Sequence, residues 1–485
     1  MFTRCAGDFT ISELSRRGFL QSLAAGTTGA VLGQNAASVR QPNILFILLD
    51  DLGWHDTGPY GNAFIDTPNL NRFAAESVRF TNAYAACPVC SPTRASILTG
   101  QYPARLHLTD WIPGRKQWPY AKLLTPPFNQ FLPADSKTIP ELLASQGYRS
   151  AAIGKWHLGG AGHLPTDYGF GLNVGGSAAG HPPTYFGPLE LLGLSLKAGE
   201  FLTQRLTDEG VRFMHARSRQ PFFLYQAHFT VHLPLQAREE IIAKYRRRNT
   251  GDVDPVYCAM VESADNSVGQ LLRALDQSGQ AQNTIVIFFS DNGGVRYQVR
   301  SPKPITNNRP LRAGKGHLYE GGIREPLMIR WPGVTKARSV LDHPVSSVDF
   351  LPWICGLAGV SHGAVDGVDL SPLLRGERVR ERPLFWHYPH YSDQGGKPSG
   401  AVRLGEWKLI EFFEDGRLEL FHLPDDPGEQ RNLVRREPQR TRQLLELLKD
   451  WRGTVRATMP MSNPGFDGAQ WSEQLTGYER ASTPI

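Results

Sequence analysis

Residues 44–53 read Ile44-Leu-Phe-Ile-Leu-Leu49 followed by Asp50-Asp51-Leu-Gly53, an unbroken apolar run that stops at two carboxylates. Such a run, with no polar alternation, is a strand buried on both faces, as in a parallel sheet covered by helices. The pattern recurs along the chain. Thr284-Ile-Val-Ile-Phe-Phe289 stops at Ser290-Asp291-Asn292-Gly293-Gly294. Tyr148 to Ile153 leads into Gly154-Lys155-Trp156-His157, and Phe222 to Tyr225 leads towards His228 and His232. Helical segments separate these runs, among them Leu202 to Met214 and Tyr257 to Leu275. Alternating strands and helices predict an α/β fold, a large mixed, mostly parallel sheet sandwiched by helices. Ligands of such sheets gather at the carboxyl ends of strands, where all these polar residues fall, so they should converge on one crevice.

The 485 residues suffice for one large α/β domain and a smaller one, which excludes a lone small binding module. With 40% hydrophobic and 20% charged residues, the composition is neither that of a disordered chain nor that of a membrane-embedded one. The formal charge of +6 comes without a long basic run. Its densest cluster, Arg246-Arg247-Arg248, reads as a solvated helix face, and no nucleic-acid partner is expected. Five cysteines are too few and too irregular for a disulfide framework.

Four segments follow from the texture of the sequence. Residues 1–40 contain Arg16-Arg17, a weakly apolar stretch diluted by Gly and Thr, and then small residues through Ala37. This is similar to a twin-arginine export signal, which implies the twin-arginine translocase as a partner and an exported, periplasmic or secreted bacterial protein. The stretch is shorter than the ~20 residues that span a bilayer, so no stable membrane anchor is expected. Residues 41–375 form the expected catalytic domain. After the charged connector Arg375 to Arg382, residues 376–460 predict a smaller α+β domain with an antiparallel sheet, built on Arg403 to Phe413, Leu418 to Leu423 and an amphipathic helix from Val434 to Arg452. Residues 461–485, rich in Pro, Gly, Ser and Thr, read as an extended tail.

The most specific stretch is Cys90-Ser-Pro-Thr-Arg-Ala-Ser-Ile-Leu-Thr-Gly100. It resembles the signature of the type I, arylsulfatase-like sulfatases of the alkaline-phosphatase-like superfamily. In that family the first cysteine is oxidised by a formylglycine-generating enzyme to an aldehyde, which hydrates to a geminal diol; here that residue is Cys90, with Pro92 and Arg94 at the other positions read. Thr93 stands where Ser is usual. Asp50-Asp51-x-Gly53, Gly154-Lys-Trp-His-Leu-Gly159, Asp291-Asn-Gly-Gly294, Gly314-Lys-Gly316 and Glu320-Gly-Gly322 extend the resemblance in order, as do Trp407 to Ile410 and Leu420 to Leu433. Gly169-Phe-Gly171 departs from it, since an Asp commonly follows Gly-Phe, which puts the shape of that loop in question. Read without the resemblance, Cys87-Pro-Val-Cys90 is also a Cys-x-x-Cys of redox or zinc type, but neither a second cysteine pair nor a thioredoxin-sized context accompanies it.

The residue chemistry agrees. Asp50, Asp51, Asp291 and Asn292 supply a hard oxygen set suited to calcium, with magnesium the second choice, rather than to zinc. With a divalent cation the three carboxylates leave one negative charge, which Arg94, Lys155 and Lys315 turn to two positive, so the site attracts an anionic ester. The resemblance adds residue 90 to the metal ligands. It implies that one diol hydroxyl attacks sulfur and expels the alcohol, and that the second lets the resulting hemiacetal collapse and eject sulfate. By the same resemblance Lys155, Lys315 and His232 grip sulfate oxygens, His232 or Lys315 protonates the leaving alcohol, and His157 and Arg94 hold the diol. Trp386-His387-Tyr-Pro-His390-Tyr391 reads either as a sugar-binding rim, joined by His107, His181 and Tyr185, or as packing at a domain junction. The expected substrate is a sulfated polysaccharide or oligosaccharide, or an aryl sulfate. A phosphodiesterase or phosphonate hydrolase of the same superfamily, and an inactive glycan-binding homologue, are the alternatives.

Overall fold

The computed structural model describes residues 41–248, 251, 253–296 and 304–471. The expected export signal lies outside the described residues, as does the tail beyond residue 471. The strand Asn43–Leu49 is buried throughout and pairs in parallel with Phe222–Ala227 on one side and Thr284–Ser290 on the other. Its side chains alternate: Leu45, Ile47 and Leu49 enter one apolar layer, while Ile44, Phe46 and Leu48 enter the other. An unbroken apolar run is what a strand with two buried faces requires.

Around this strand lies a nine-stranded sheet among the described residues. In spatial order it runs Ser339–Leu341, Val78–Tyr84, Arg324–Arg330, Thr284–Ser290, Asn43–Leu49, Phe222–Ala227, Arg149–Gly154 and Leu172–Val174, with Val345–Ser346 also on Val78–Tyr84. The sheet is mixed because Arg324–Arg330 runs antiparallel to both its neighbours. One face is covered by the helices Pro68–Glu76, Leu202–His215 and Pro255–Gln277, the other by Phe350–Ala358 and its surroundings. Pro255–Gln277 starts where Asp254 accepts the Val256 N–H at 2.7 Å and Pro255 takes the first helical position. Among the described residues, no helix is long and apolar enough to cross a membrane.

A smaller antiparallel sheet follows in the order Leu384–Tyr388, Ser399–Leu404, Trp407–Phe412, Leu418–His422, packed by the helix Pro438–Val455. Two details differ from the sequence reading. The run Arg403 to Phe413 is a hairpin, because Gly405 at φ 58° turns the chain between two paired strands. The helix begins at Pro438, whose ring suits a first helical turn, not at Val434. In the expected tail, Met461–Ser462 pairs with Leu123–Leu124, and Trp471 packs against Trp118 and Tyr391.

The small sheet grips the segment Arg312–Glu320, which delivers Lys315. Lys408 lies 2.8 Å from Glu320 Oε1 and 2.9 Å from Glu429 Oε1, with all three side chains fully buried. Tyr319 donates to Glu419 at 2.8 Å, and Arg312 donates to the Glu429 carbonyl at 2.8 Å. A buried ion pair adds little net stability, but losing one partner costs about 3–5 kcal/mol, so this junction tolerates few alternatives.

Candidate active site

Because Asn43–Leu49 and Thr284–Ser290 are adjacent and parallel, with Leu49 opposite Ser290, the residues that follow them meet at one edge of the sheet. Asp50 and Asp51 leave the first strand; Asp291 and Asn292 leave the second. Lys155 and His157 leave Arg149–Gly154, and His232 follows Phe222–Ala227. Gly154 has φ 105°, and a Cβ there would fall 1.9 Å from the Ala227 carbonyl oxygen, so only glycine lets Lys155 turn across the edge. Asp51 and His157 take positive φ values of 62° and 60°, conformations that cost of order 1–3 kcal/mol each and that cluster at functional sites.

Cys90 opens the helix Cys90–Thr99, in which every residue is buried, and so meets this edge with a helix amino terminus. Lys315 arrives on a loop whose N–H bonds the Gly294 carbonyl at 3.2 Å, and Gly316 bonds the Pro88 carbonyl at 2.8 Å.

The charges interlock. Lys155 Nζ lies 2.7 Å from Asp50 Oδ2, and Lys315 Nζ lies 2.6 Å from Asp51 Oδ1. Arg94 donates from Nε to Asp291 Oδ2 at 2.8 Å and from Nη1 to the Lys155 carbonyl at 2.8 Å. Asn292 donates to Asp51 Oδ1 at 2.7 Å, and His232 Nε2 stands 3.4 Å from Asp51 Oδ2. Burial pushes the Asp50 carboxyl up, Lys155 offsets part of this, and the neighbouring Asp291 and Asp51 charges raise it again. Burial also acts on Asp51, but Lys315 and His232 outweigh it and hold that carboxyl below the usual range. Burial raises the Cys90 thiol and pushes the His157 and His232 imidazoles down, an effect that the Asp51 charge partly opposes at His232.

Several buried polar atoms here have no hydrogen-bond partner: Asp50 Oδ1, Asp51 Oδ2, Asn292 Oδ1 and His157 Nδ1. Orphaned buried oxygens are costly and point to a missing ligand. Two sets of atoms lie close enough to hold a metal ion, Asp50 with Asp51 and His232, and Asp50 with Cys90 and Asp291; both include Asp50. The donors fit a hard divalent cation. His157 Nε2 bonds the Ile112 carbonyl at 2.5 Å, which makes Nε2 the protonated nitrogen and leaves Nδ1 as an acceptor. Among the described residues Cys87 joins no metal-binding group, so the zinc reading of Cys87-x-x-Cys90 gains nothing.

The rim candidates scatter. His181 stacks on His232, ring centroids 5.9 Å apart. Tyr185 is fully buried and donates to the Phe229 and His232 carbonyls at 2.7 and 2.9 Å, which places it under the His232 loop rather than on a rim. His387 is buried against the Thr458 carbonyl, and His390 against Thr109 Oγ1 at 2.8 Å. His107 lines a separate cavity of about 470 Å³ that also takes in Thr99, the last residue of the helix Cys90–Thr99.

Two supports escaped the sequence reading. Asp56 accepts from Gly53 N, Tyr257 OH and Thr306 Oγ1 at 3.0, 2.5 and 2.7 Å, pinning the turn that carries Asp51; its signal was a third carboxylate close behind Gly53. Asn308 clasps Gly294 through both its N–H and its carbonyl, and nothing in the sequence marks it.

A strand-end carboxylate cluster beside a helix-borne residue 90 defines a metal-assisted hydrolase of the alkaline-phosphatase-like architecture. The Sulfatase family profile matches residues 42–360, and the profile described as N-sulphoglucosamine sulphohydrolase, C-terminal, matches residues 313–453. N-acetylgalactosamine-6-sulfatase of Rattus norvegicus is 34% identical over 78% of this chain and 73% of its own length. Arylsulfatase A of Homo sapiens is 33% identical over 89% of each chain. The crystal structure of Ps i-CgsB in complex with k-i-k-neocarrahexaose superposes with a TM-score of 0.74 at 28% identity, covering 92% of this chain and 98% of that one. The chain belongs to the sulfatase family and is a sulfuric ester hydrolase.

If the orphaned oxygens await a cation, protein stripped by a chelator should melt at a higher temperature once calcium or magnesium is added. Saturation at 100 times the dissociation constant contributes about 2.7 kcal/mol. Differential scanning calorimetry reads the shift, and Asp291→Ala should abolish it; a melting temperature indifferent to both ions contradicts the site.

Proposed function

We propose that this sulfatase cleaves sulfate monoesters of sulfated polysaccharides or oligosaccharides, with Cys90 converted to formylglycine by a separate generating enzyme and calcium as the resident cation. The observation that carries this reading is the cluster of orphaned oxygens on Asp50, Asp51 and Asn292 beside residue 90, ringed by Arg94, Lys155 and Lys315. A cation there would be held by Asp50, Asp51, Asp291, Asn292 and residue 90, and would draw the ester's charge and ease ionisation of a neighbouring hydroxyl. Hydrated formylglycine supplies an attacking oxygen and, in its second hydroxyl, a way to release sulfate without water attacking sulfur.

The other residues divide the work by position. Arg94, bound to Asp291, and His157, whose Nδ1 is left as an acceptor, orient the side chain of residue 90. Lys155 and Lys315 bind ester oxygens, and Lys315 or His232 gives a proton to the departing alcohol oxygen. Two likenesses support a sugar substrate: one relative is an N-acetylgalactosamine-6-sulfatase, and one structural neighbour holds a neocarrahexaose. Residues 41–375 serve as the catalytic domain and 376–460 as the smaller domain.

Mass spectrometry of the peptide containing residue 90 tests this reading: active protein should carry the aldehyde, and Cys90→Ser made in a host that cannot modify serine should fall below 1% of the turnover. Active protein with only unmodified cysteine contradicts it.

We also propose export through the twin-arginine translocase to the periplasm or medium, on the strength of Arg16-Arg17 and the weakly apolar run behind it. Changing both arginines to lysine should strand the precursor in the cytoplasm, as read by cell fractionation; unimpaired export excludes that route.

A further inference from the structure

The helix Cys90–Thr99 joins two places. Its first residue stands in the catalytic centre, and its last, Thr99, lines the cavity of about 470 Å³. Its 10 residues, at about 1.5 Å of rise each, set the two ends about 14 Å apart, and none of the residues assigned to the centre lines the cavity. The volume falls within the ~300–1,000 Å³ of pockets that hold small ligands. The floor is apolar: Leu106 and Leu351 are buried in the layer under one face of the large sheet, and Leu142 and Val365 pack against it.

The walls are polar, and their lysine and arginine are already committed. Arg105 donates from Nε and Nη2 to Asp366 at 3.0 and 2.6 Å, and Lys137 lies 2.5 Å from Glu141 Oε1. Asp366 is itself fixed, since it accepts the Tyr102 N–H at 2.8 Å. The walls leave acceptors open instead. Asn129 donates to the Leu106 carbonyl at 2.8 Å, which leaves its Oδ1 to accept. His362 Nδ1 bonds the Gly363 carbonyl at 2.9 Å, so the proton sits on Nδ1 and Nε2 accepts. Asp135 is exposed and pairs with no cation among the described residues. An anion entering here would meet the Asp135 charge with no unpaired lysine or arginine in the lining to offset it. A neutral ligand with several hydroxyls and an apolar C–H face suits both surfaces, because each hydroxyl brings a donor to an open acceptor while the C–H face covers the floor.

We propose that this cavity is a second glycan site, which holds unsulfated sugar residues of the polymer whose sulfated residue enters the centre. The inference rests on the sulfated-glycan reading and adds to it. One site selects charge and the other its absence, so an unevenly sulfated chain is held at two points and its esters are concentrated near the centre.

Titration calorimetry on full-length Cys90→Ala protein, which binds without turnover, tests this with unsulfated galactan, fucan and mannan tetrasaccharides. At least one of them should bind. Asp135→Ala and His362→Ala should each weaken that binding at least threefold, and together at least tenfold. Ser136→Trp, which fills the cavity, should abolish it. A fully sulfated galactan tetrasaccharide, bound at the centre, should keep its affinity within twofold in Ser136→Trp protein. Natural enzyme carrying Ser136→Trp should keep its rate on 4-nitrophenyl sulfate, which shows the fold intact; if that rate is lost, the Asp135→Ala and His362→Ala pair decides. Neutral binding indifferent to these substitutions overturns the proposal, as does an equal loss for sulfated and neutral chains. If natural enzyme desulfates glycans while all three neutral chains fail to bind, the cavity alone fails. If it hydrolyses 4-nitrophenyl sulfate but desulfates no glycan, the sulfated-glycan reading fails and the proposal falls with it.

Discussion

Three carboxylates, Asp50, Asp51 and Asp291, are forced together in a dry place because two neighbouring parallel strands end at the same level. Unopposed, such a cluster would protonate or spread apart. The rest of the structure answers that constraint. Lys155 leaves the strand Arg149–Gly154 to reach Asp50, Arg94 rises from the helix behind residue 90 to reach Asp291, and Lys315 arrives on a long loop to reach Asp51. Two of these cations, Lys155 and Lys315, are the ones proposed to grip the anionic ester, so compensating the carboxylates and recognising a sulfate draw on shared side chains.

The reach of Lys315 explains why a second sheet is attached. Its loop has no strand of its own at the centre, and it is fixed from outside by Lys408, Glu419, Glu429 and the Ser392–Gly396 turn. Glu320 sits between the two sheets, bonded to Lys408 on one side and to Tyr84 on the other. The small sheet is thus part of the centre's support.

Much of this was legible in the sequence, because apolar strands that end in charged residues announce both a parallel sheet and the edge where its chemistry lies. Asp50, Asp51, Asp291, Asn292, Lys155 and His232 all came together as their positions after strands required. Residues on loops were harder. Tyr185 was read with the rim and His387 either with the rim or as packing, yet both are buried against main-chain carbonyls, which composition cannot distinguish from sugar contacts. Asn308 acts through contacts with Gly294 beyond a turn, and no local pattern marks it. The hairpin at Gly405 was hidden because the run read as one strand, Arg403 to Phe413, takes in only the last two residues of Ser399–Leu404.

With the one cation proposed above, the centre is suited to sulfate turnover. A phosphate monoester near neutral pH carries more negative charge than a sulfate monoester, so charge alone favours phosphate. Among the described residues no second, histidine-rich metal group is present to activate water against a phosphoenzyme. The most direct test is the pair of kcat/KM values for matched aryl sulfate and aryl phosphate on protein carrying the aldehyde at residue 90. The sulfate should be preferred, with inorganic phosphate inhibiting more readily than aryl phosphate turns over; equal or faster hydrolysis of the phosphate would contradict the account.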